Sequence, residues 1–144
     1  MSPATAVAPV AAQPKTLTSR AFEVAMAPDP ARVAQMRRST LAHMRLWAVP
    51  GPLAEDVRLV VSELVTNAIE HGQGTVRLRV RHTGSQLRIE VTDDNPAPAQ
   101  LCAAEDDDVC GRGLFLVAVL SWNWGVSNNG KTTWATFRVP EGRP

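Results

Sequence analysis

Residues 62–72 read Ser62-Glu63-Leu64-Val65-Thr66-Asn67-Ala68-Ile69-Glu70-His71-Gly72, and the way this stretch sorts polar from apolar side chains decides the fold. Extended backwards, it places Leu53, Val57, Val60, Val61, Leu64 and Ala68 on one stripe at helical spacing. Glu63, Asn67, Glu70 and His71 stand at i, i+4, i+7 and i+8, on the flank of that stripe. Pro52 suits the first helical position, and Glu55 and Asp56 are expected in the first turn, where the helix dipole favours acids. Gly72 is a natural stop. Polar residues at this spacing commonly form nothing more than a solvated helix edge, so their meaning depends on what surrounds them.

Upstream, Phe22, Val24 and Met26 alternate with Ala21, Glu23 and Ala25, which predicts a strand over Arg20–Met26. Asp29-Pro30 reads as an N-cap followed by a first-turn proline, and Val33, Met36, Thr40, Met44 and Trp47 carry a helix that stops before Pro50-Gly51-Pro52. Downstream, Val76, Leu78 and Val80 alternate with Arg77, Arg79 and Arg81, and Leu87, Ile89 and Val91 with Arg88 and Glu90; Thr83-Gly84-Ser85 turns between these strands. The arginine row reads as the wet side of a sheet. Residues 94–110, with Pro96, Pro98 and the acidic run Glu105-Asp106-Asp107-Asp108, read as a loop. Gly111-Arg112-Gly113 opens an apolar helix to about Leu120, and Trp124–Asn128 and Thr132–Val139 form a hairpin around Asn129-Gly130. The order β-α-α-β-β-loop-α-β-β predicts an α+β fold: a mostly antiparallel sheet with helices on one face.

The chain has 144 residues, enough for one domain and one core. Residues 1–14, without charge or aromatic side chains and with three prolines, read as a flexible tail. The domain is expected over 15–140, with a second short tail at 141–144. Fifteen basic against fourteen acidic residues leave a formal charge of +1, so no bulk field draws the chain to nucleic acid or an anionic membrane. No run approaches the roughly 18–20 apolar residues that cross a bilayer. With no basic flank ahead of the Ala/Pro-rich start and only two cysteines, a cytoplasmic location is expected. Cys102 and Cys110 lack the four-ligand spacing of a zinc site and read as free thiols.

Gly125-Val126-Ser127-Asn128-Asn129-Gly130-Lys131-Thr132 matches the phosphate-loop pattern GxxxxGK[ST] letter for letter. That motif needs a helix to follow it. The residues that follow, Thr133-Trp134-Ala135-Thr136-Phe137, are β-formers, so the match reads as a coincidence in a hairpin. Two other features fit better with the polar flank at 63–71. Asp93-Asp94 ends a predicted strand, and Gly111-x-Gly113 opens a helix. Together these could hold a nucleotide.

Taken in order, these segments resemble the Bergerat-fold (GHKL) ATPases, the superfamily of gyrase, MutL and the histidine kinases. Ser62–Gly72 is similar to their N box, Val91-Thr92-Asp93-Asp94-Asn95 to their DxG box, Gly111-Arg112-Gly113-Leu114 to their second glycine box, and Thr133–Phe137 to their closing threonine strand. The wording Thr66-Asn67-Ala68-Ile69-Glu70-His71-Gly72 most resembles the small bacterial anti-sigma-factor serine/threonine kinases. The resemblance implies a two-layer α/β sandwich that binds ATP and Mg²⁺. It implies Asn67 as an oxygen ligand to Mg²⁺ and Glu63 as general base on a serine hydroxyl. Asp93, Asn95 and Thr133 would then surround adenine, with Asp93 accepting a hydrogen bond from its amino group. Gly111, Arg112, Gly113 and Leu114 would lie around the phosphates. The DxG glycine is Asn95 here, and the turn is expected to survive because Asn tolerates the left-handed conformation.

The partners implied are a sigma factor and an antagonist protein that receives the phosphate, with a homodimer as a further implication and no direct contact to nucleic acid or membrane. A different class stays open beside the kinase: an ATP-binding module that sequesters partners without phosphotransfer. The retained Glu63 favours the kinase, and Asn95 weakens that preference.

Overall fold

The computed structural model describes residues 19–95, 108–127 and 131–140. In chain order they form β1 (Ser19–Met26), α1 (Ala31–Leu46), α2 (Gly51–His71), β2 (Val76–Thr83), β3 (Gln86–Thr92), α3 (Asp108–Leu120), β4 (Asn123–Ser127) and β5 (Thr132–Arg138). One five-stranded sheet runs in the order β1-β2-β3-β5-β4, and every neighbouring pair is antiparallel. The expected α+β architecture is the one found.

Strict alternation assigns the two faces. Val24, Leu78, Val91 and Thr133 lie in one cross-strand row, and Phe22, Val80, Ile89 and Ala135 in the next, all on the covered face. The arginines of β2 and Glu90 point the other way. Onto the covered face α2 presses Val57, Val60, Val61, Leu64 and Val65, each at most 2% exposed. Met36 and Met44 of α1 and Val117 of α3 complete the core. Among the described residues no helix is long and apolar enough to cross a membrane.

Several local expectations change. Helix α2 begins at Gly51, one residue earlier than Pro52, so its first turn holds no acid; Glu55 and Asp56 fall in the second turn, and Glu55 instead pairs with Arg58 at 2.9 Å. Helix α1 begins at Ala31 with Pro30 rather than Asp29 at its N-cap position, and Asp29 Oδ1, one residue earlier, accepts the Ala31 N–H at 3.0 Å. Gly84 turns the β2–β3 hairpin at φ 58°, a backbone conformation that suits glycine. The segment read as a loop lies mostly outside the described residues, and its last three residues, Asp108 to Cys110, are already helical.

The end of α1 carries strain. Val49 N–H bonds to Met44 C=O at 2.9 Å and Ala48 N–H to Arg45 C=O at 3.0 Å, the paired bonds of a Schellman ending. That motif puts its C′ residue in the left-handed region, and Ala48 sits there at φ 58°. The left-handed conformation costs an L-residue about 1–2 kcal/mol. Glycine would remove that cost and return part of it as unfolded-state entropy. Ala48→Gly is therefore expected to stabilise the protein by roughly 0.5–1 kcal/mol, read as a higher urea midpoint at constant m-value.

Beneath that helix end lies an aromatic cluster. Phe22 stacks on His43 at 4.0 Å between ring centroids, and Trp47 packs against His43 at 5.6 Å and His82 at 6.1 Å. His82 Nε2 is buried with no hydrogen-bond partner. Burial, reinforced by the positive charge of Arg20, lowers the His82 pKa below its ordinary value of 6.5, outweighing a backbone hydrogen bond at Gly84 that acts the other way. A depressed histidine makes the unfolded chain the better proton acceptor. Its contribution is complete above the unfolded pKa and is lost as pH falls below about 6.5. Denaturant titrations from about pH 7.5 to 5 are expected to show a steeper loss of stability in the parent than in His82→Leu.

Candidate functional site

Of the polar residues singled out from the sequence, His71, Asp93 and Asn95 meet where α2 runs out beside the end of β3, and Asn67 and Glu63 follow one and two turns back along α2. Burying Val57, Val61, Leu64 and Ala68 fixes how α2 is rotated about its axis. Ser62 is turned towards α1, accepting a hydrogen bond from Arg37 Nη1 at 3.1 Å. Asn67 lies about 140° around the helix from Ser62, on the flank away from α1. Glu63 and Asn67 are half-buried, and neither makes a hydrogen bond or ion pair with any described residue. Glu70 and His71 are exposed and 3.8 Å apart.

The alternation of Leu87, Ile89 and Val91 carries on to Asp93, which is drawn onto the covered face against the end of α2. Four hydrogen bonds knot this corner. Asp93 N–H donates to Lys131 C=O at 3.1 Å, and Asp94 N–H to Gln73 C=O at 2.8 Å. Thr75 N–H donates to Asp94 Oδ2 at 3.2 Å, and Asn95 Nδ2 to His71 C=O at 3.0 Å. The strand end is thus tied to the α2–β2 connection on one side and to the start of β5 on the other.

Gly72 ends α2 for a different reason from the one expected. Its φ of −92° and ψ of −166° are extended, open to any residue. What excludes a side chain is space: a Cβ there would lie 2.5 Å from Ala68 O, Asp93 Cγ and Asp93 Oδ2. Gly74 combines a φ of 72° with a Cβ position 2.5 Å from Asp94 Oδ2. The two glycines let the loop wrap both aspartates. The signal for this wrap in the sequence is the pair of glycines flanking Gln73, of which Gly72 alone reads as a helix stop.

Asn95 also departs from expectation. Among the described residues Ala48 is the only non-glycine with positive φ, so Asn95 does not use the left-handed region. It makes an Asx-type turn instead, donating its N–H to Asp93 Oδ1 at 2.7 Å while its amide holds the last carbonyl of α2. Asp93 Oδ2 is left facing the Gly72 backbone.

Thr133 is paired with Val91 on β5, on the covered face and two positions from Asp93 along the neighbouring strand. Gly111, Arg112 and Gly113 do not open α3; the helix starts at Asp108 and they lie within its first two turns. Leu114 packs on the core. Cys102 and the acids Glu105–Asp107 lie outside the described residues. The phosphate-loop match fails structurally, because β5 rather than a helix follows Lys131. Trp122 is 60% exposed, and Trp124 packs against the core.

The described corner is acidic. Glu70 lies in the last turn of α2, whose dipole is itself negative, and Asp93 and Asp94 pack against the connection that follows; Glu63 stands two turns further back. Among the described residues no three His, Cys, Asp or Glu side chains group to hold a metal.

The family model of the histidine kinase-like ATPase domain matches residues 26–137. The chain belongs to this family, whose members' ATPase domain implies ATP binding. No curated protein matches the chain.

The crowding at Gly72 has a measurable consequence. Gly72→Ala must displace either the Ala68 carbonyl or the Asp93 carboxylate, with an expected cost of about 1–3 kcal/mol. Gly51→Ala, where a Cβ meets nothing within 4 Å, is the matched control and should be neutral or slightly stabilising by the same denaturation assay.

Proposed function

We propose that this chain is an ATP-dependent serine/threonine protein kinase of the anti-sigma-factor type, binding a sigma factor and phosphorylating an antagonist protein. The observation that carries the reading is the pairing on α2. Glu63 and Asn67, one turn apart, are half-buried without partners among the described residues, on the helix that ends against Asp93.

Each residue suits a role. The Asn67 carboxamide offers a neutral oxygen to Mg²⁺, and one such ligand suffices for an ion that keeps several waters and binds phosphates. The fit rests on Asn67, whose half-buried carboxamide has no partner among the described residues and so has an oxygen to offer a cation. Bound Mg-ATP supplies the phosphoryl group. Glu63 takes the proton of the incoming serine hydroxyl on its carboxylate. Asp93 uses Oδ1 for the Asn95 N–H and keeps Oδ2 to accept from the adenine amino group, which guanine lacks at that position. Asn95 acts by holding Asp93, and Thr133 stands beside it on β5. Gly111 and Gly113 allow close approach of α3 to the phosphates, with Arg112 and Leu114 flanking them.

The test separates binding from chemistry. Glu63→Gln is expected to bind ATP like the parent and to transfer phosphate to the antagonist at least about a hundredfold more slowly. Asn67→Ala is expected to lose Mg²⁺-dependent ATP binding. Calorimetry and a labelled-phosphate transfer assay read the two. A parent protein that binds ATP and its partner yet transfers nothing would establish the other class, an ATP-binding module that sequesters partners.

A further inference from the structure

The sheet face turned away from the helices is strongly and asymmetrically charged. Alternation puts Arg77, Arg79 and Arg81 of β2, Arg88 of β3 and Arg138 of β5 on it, against Glu23 and Glu90. Five cations against two anions give this one face +3 in a chain whose formal charge is +1, so the remainder carries −2. Glu90 is already committed: it accepts from Arg88 Nε at 2.7 Å and pairs with Arg81 Nη2 at 3.4 Å. That bond offsets the direct cross-strand opposition of Arg81 and Arg88, a like-charge pairing that costs stability. Arg77 and Arg79 are exposed; Arg79 stands in register between Glu23 and Glu90, but neither arginine makes a hydrogen bond or ion pair with any described residue.

We propose that this outer face docks an acidic segment of a partner protein, with Arg77 and Arg79 as its principal contacts. The two arginines lie two residues apart on one strand, about 7 Å between Cα atoms. Carboxylates at that spacing occur on alternate residues of an extended chain or one turn apart on a helix, and each arginine offers a planar fork that matches them. Two alternatives fit less well. A second copy would bring an identical +3 face and repel. A single-stranded nucleic acid would need an open aromatic face for stacking. Both tryptophans near the face are occupied: Arg88 Cζ lies 4.5 Å over the Trp134 ring, which also packs on Gly125, where an added Cβ would sit 2.8 Å from Trp134 Cζ2, and Arg138 Cζ lies 4.7 Å over the ring of Trp122, itself 60% exposed. The surface is independent of the kinase assignment, because none of these residues belongs to the corner at Asp93.

The experiment uses the full chain and fluorescent poly-L-glutamate, read by anisotropy at low salt. The parent is expected to bind, and binding should weaken as salt screens the contact. Arg77→Glu/Arg79→Glu should bind at least about tenfold more weakly. Arg38→Glu/Arg45→Glu, the same charge change on exposed positions of α1, should differ from the parent by less than about twofold. Circular dichroism checks folding, and if the glutamate pair does not fold, Arg77→Gln/Arg79→Gln supplies the comparison. Equal weakening in both pairs would reduce the effect to net charge and overturn the proposal. So would a parent that ignores polyglutamate, or one that binds oligo-dT or phosphatidylserine vesicles more tightly.

Discussion

Helix α2 has to bury one complete stripe, and that requirement sets the rest of the molecule. Val57, Val60, Val61, Leu64 and Val65 are sealed against the sheet, at roughly 1.5–3 kcal/mol for each large aliphatic side chain withdrawn from water. A helix held so firmly cannot rotate about its axis. Every polar residue on it therefore has an assigned direction: Ser62 towards α1, Asn67 to the opposite flank, His71 at the end that meets β3. The candidate site is placed by hydrophobic burial and then trimmed by hydrogen bonds.

Periodicity made most of this legible. The alternation in β2 and β3 predicted both the strands and the face each residue takes, because one face is buried and a one-residue slip would invert it. The stripe at Leu53–Ala68 gave α2 for the same reason. What did not read through were features set by tertiary contact. Gly72 looked like a conformational stop and is a spacing requirement imposed by Asp93, which lies 21 residues further along the chain. Asn95 looked like a tolerated left-handed residue and is a hydrogen-bonding one, holding Asp93 with its backbone and α2 with its side chain. No local pattern announces either.

The corner at Asp93 also explains how a short connection can serve as a rigid one. His71 and Thr75 bracket a tight passage from helix to strand in which two glycines remove steric bulk and two aspartates supply acceptors. Backbone donors that would otherwise face solvent are satisfied by Asp93 and Asp94, and a loop satisfied in this way behaves as part of the scaffold. Asparagine in place of a glycine here adds a tie to α2 rather than removing a degree of freedom.

The strand order β1-β2-β3-β5-β4 places the last strand, β5, inside the sheet and the one before it, β4, at the edge. Thr92 pairs with Thr132, and Gln86 with Arg138, so β3 waits for a partner 40 to 52 residues further along the chain. Closing so wide a loop carries an entropic cost that the hairpin partners β2 and β3 do not face. On a ribosome, β1 through α2 and the β2–β3 hairpin can assemble while the remainder is still being synthesised. The carbonyl of Lys131, which anchors Asp93, arrives with the last strand. Birth order therefore separates the two halves of this molecule: its hydrophobic seat forms early, and the corner that the seat positions is completed only once β5 has been made.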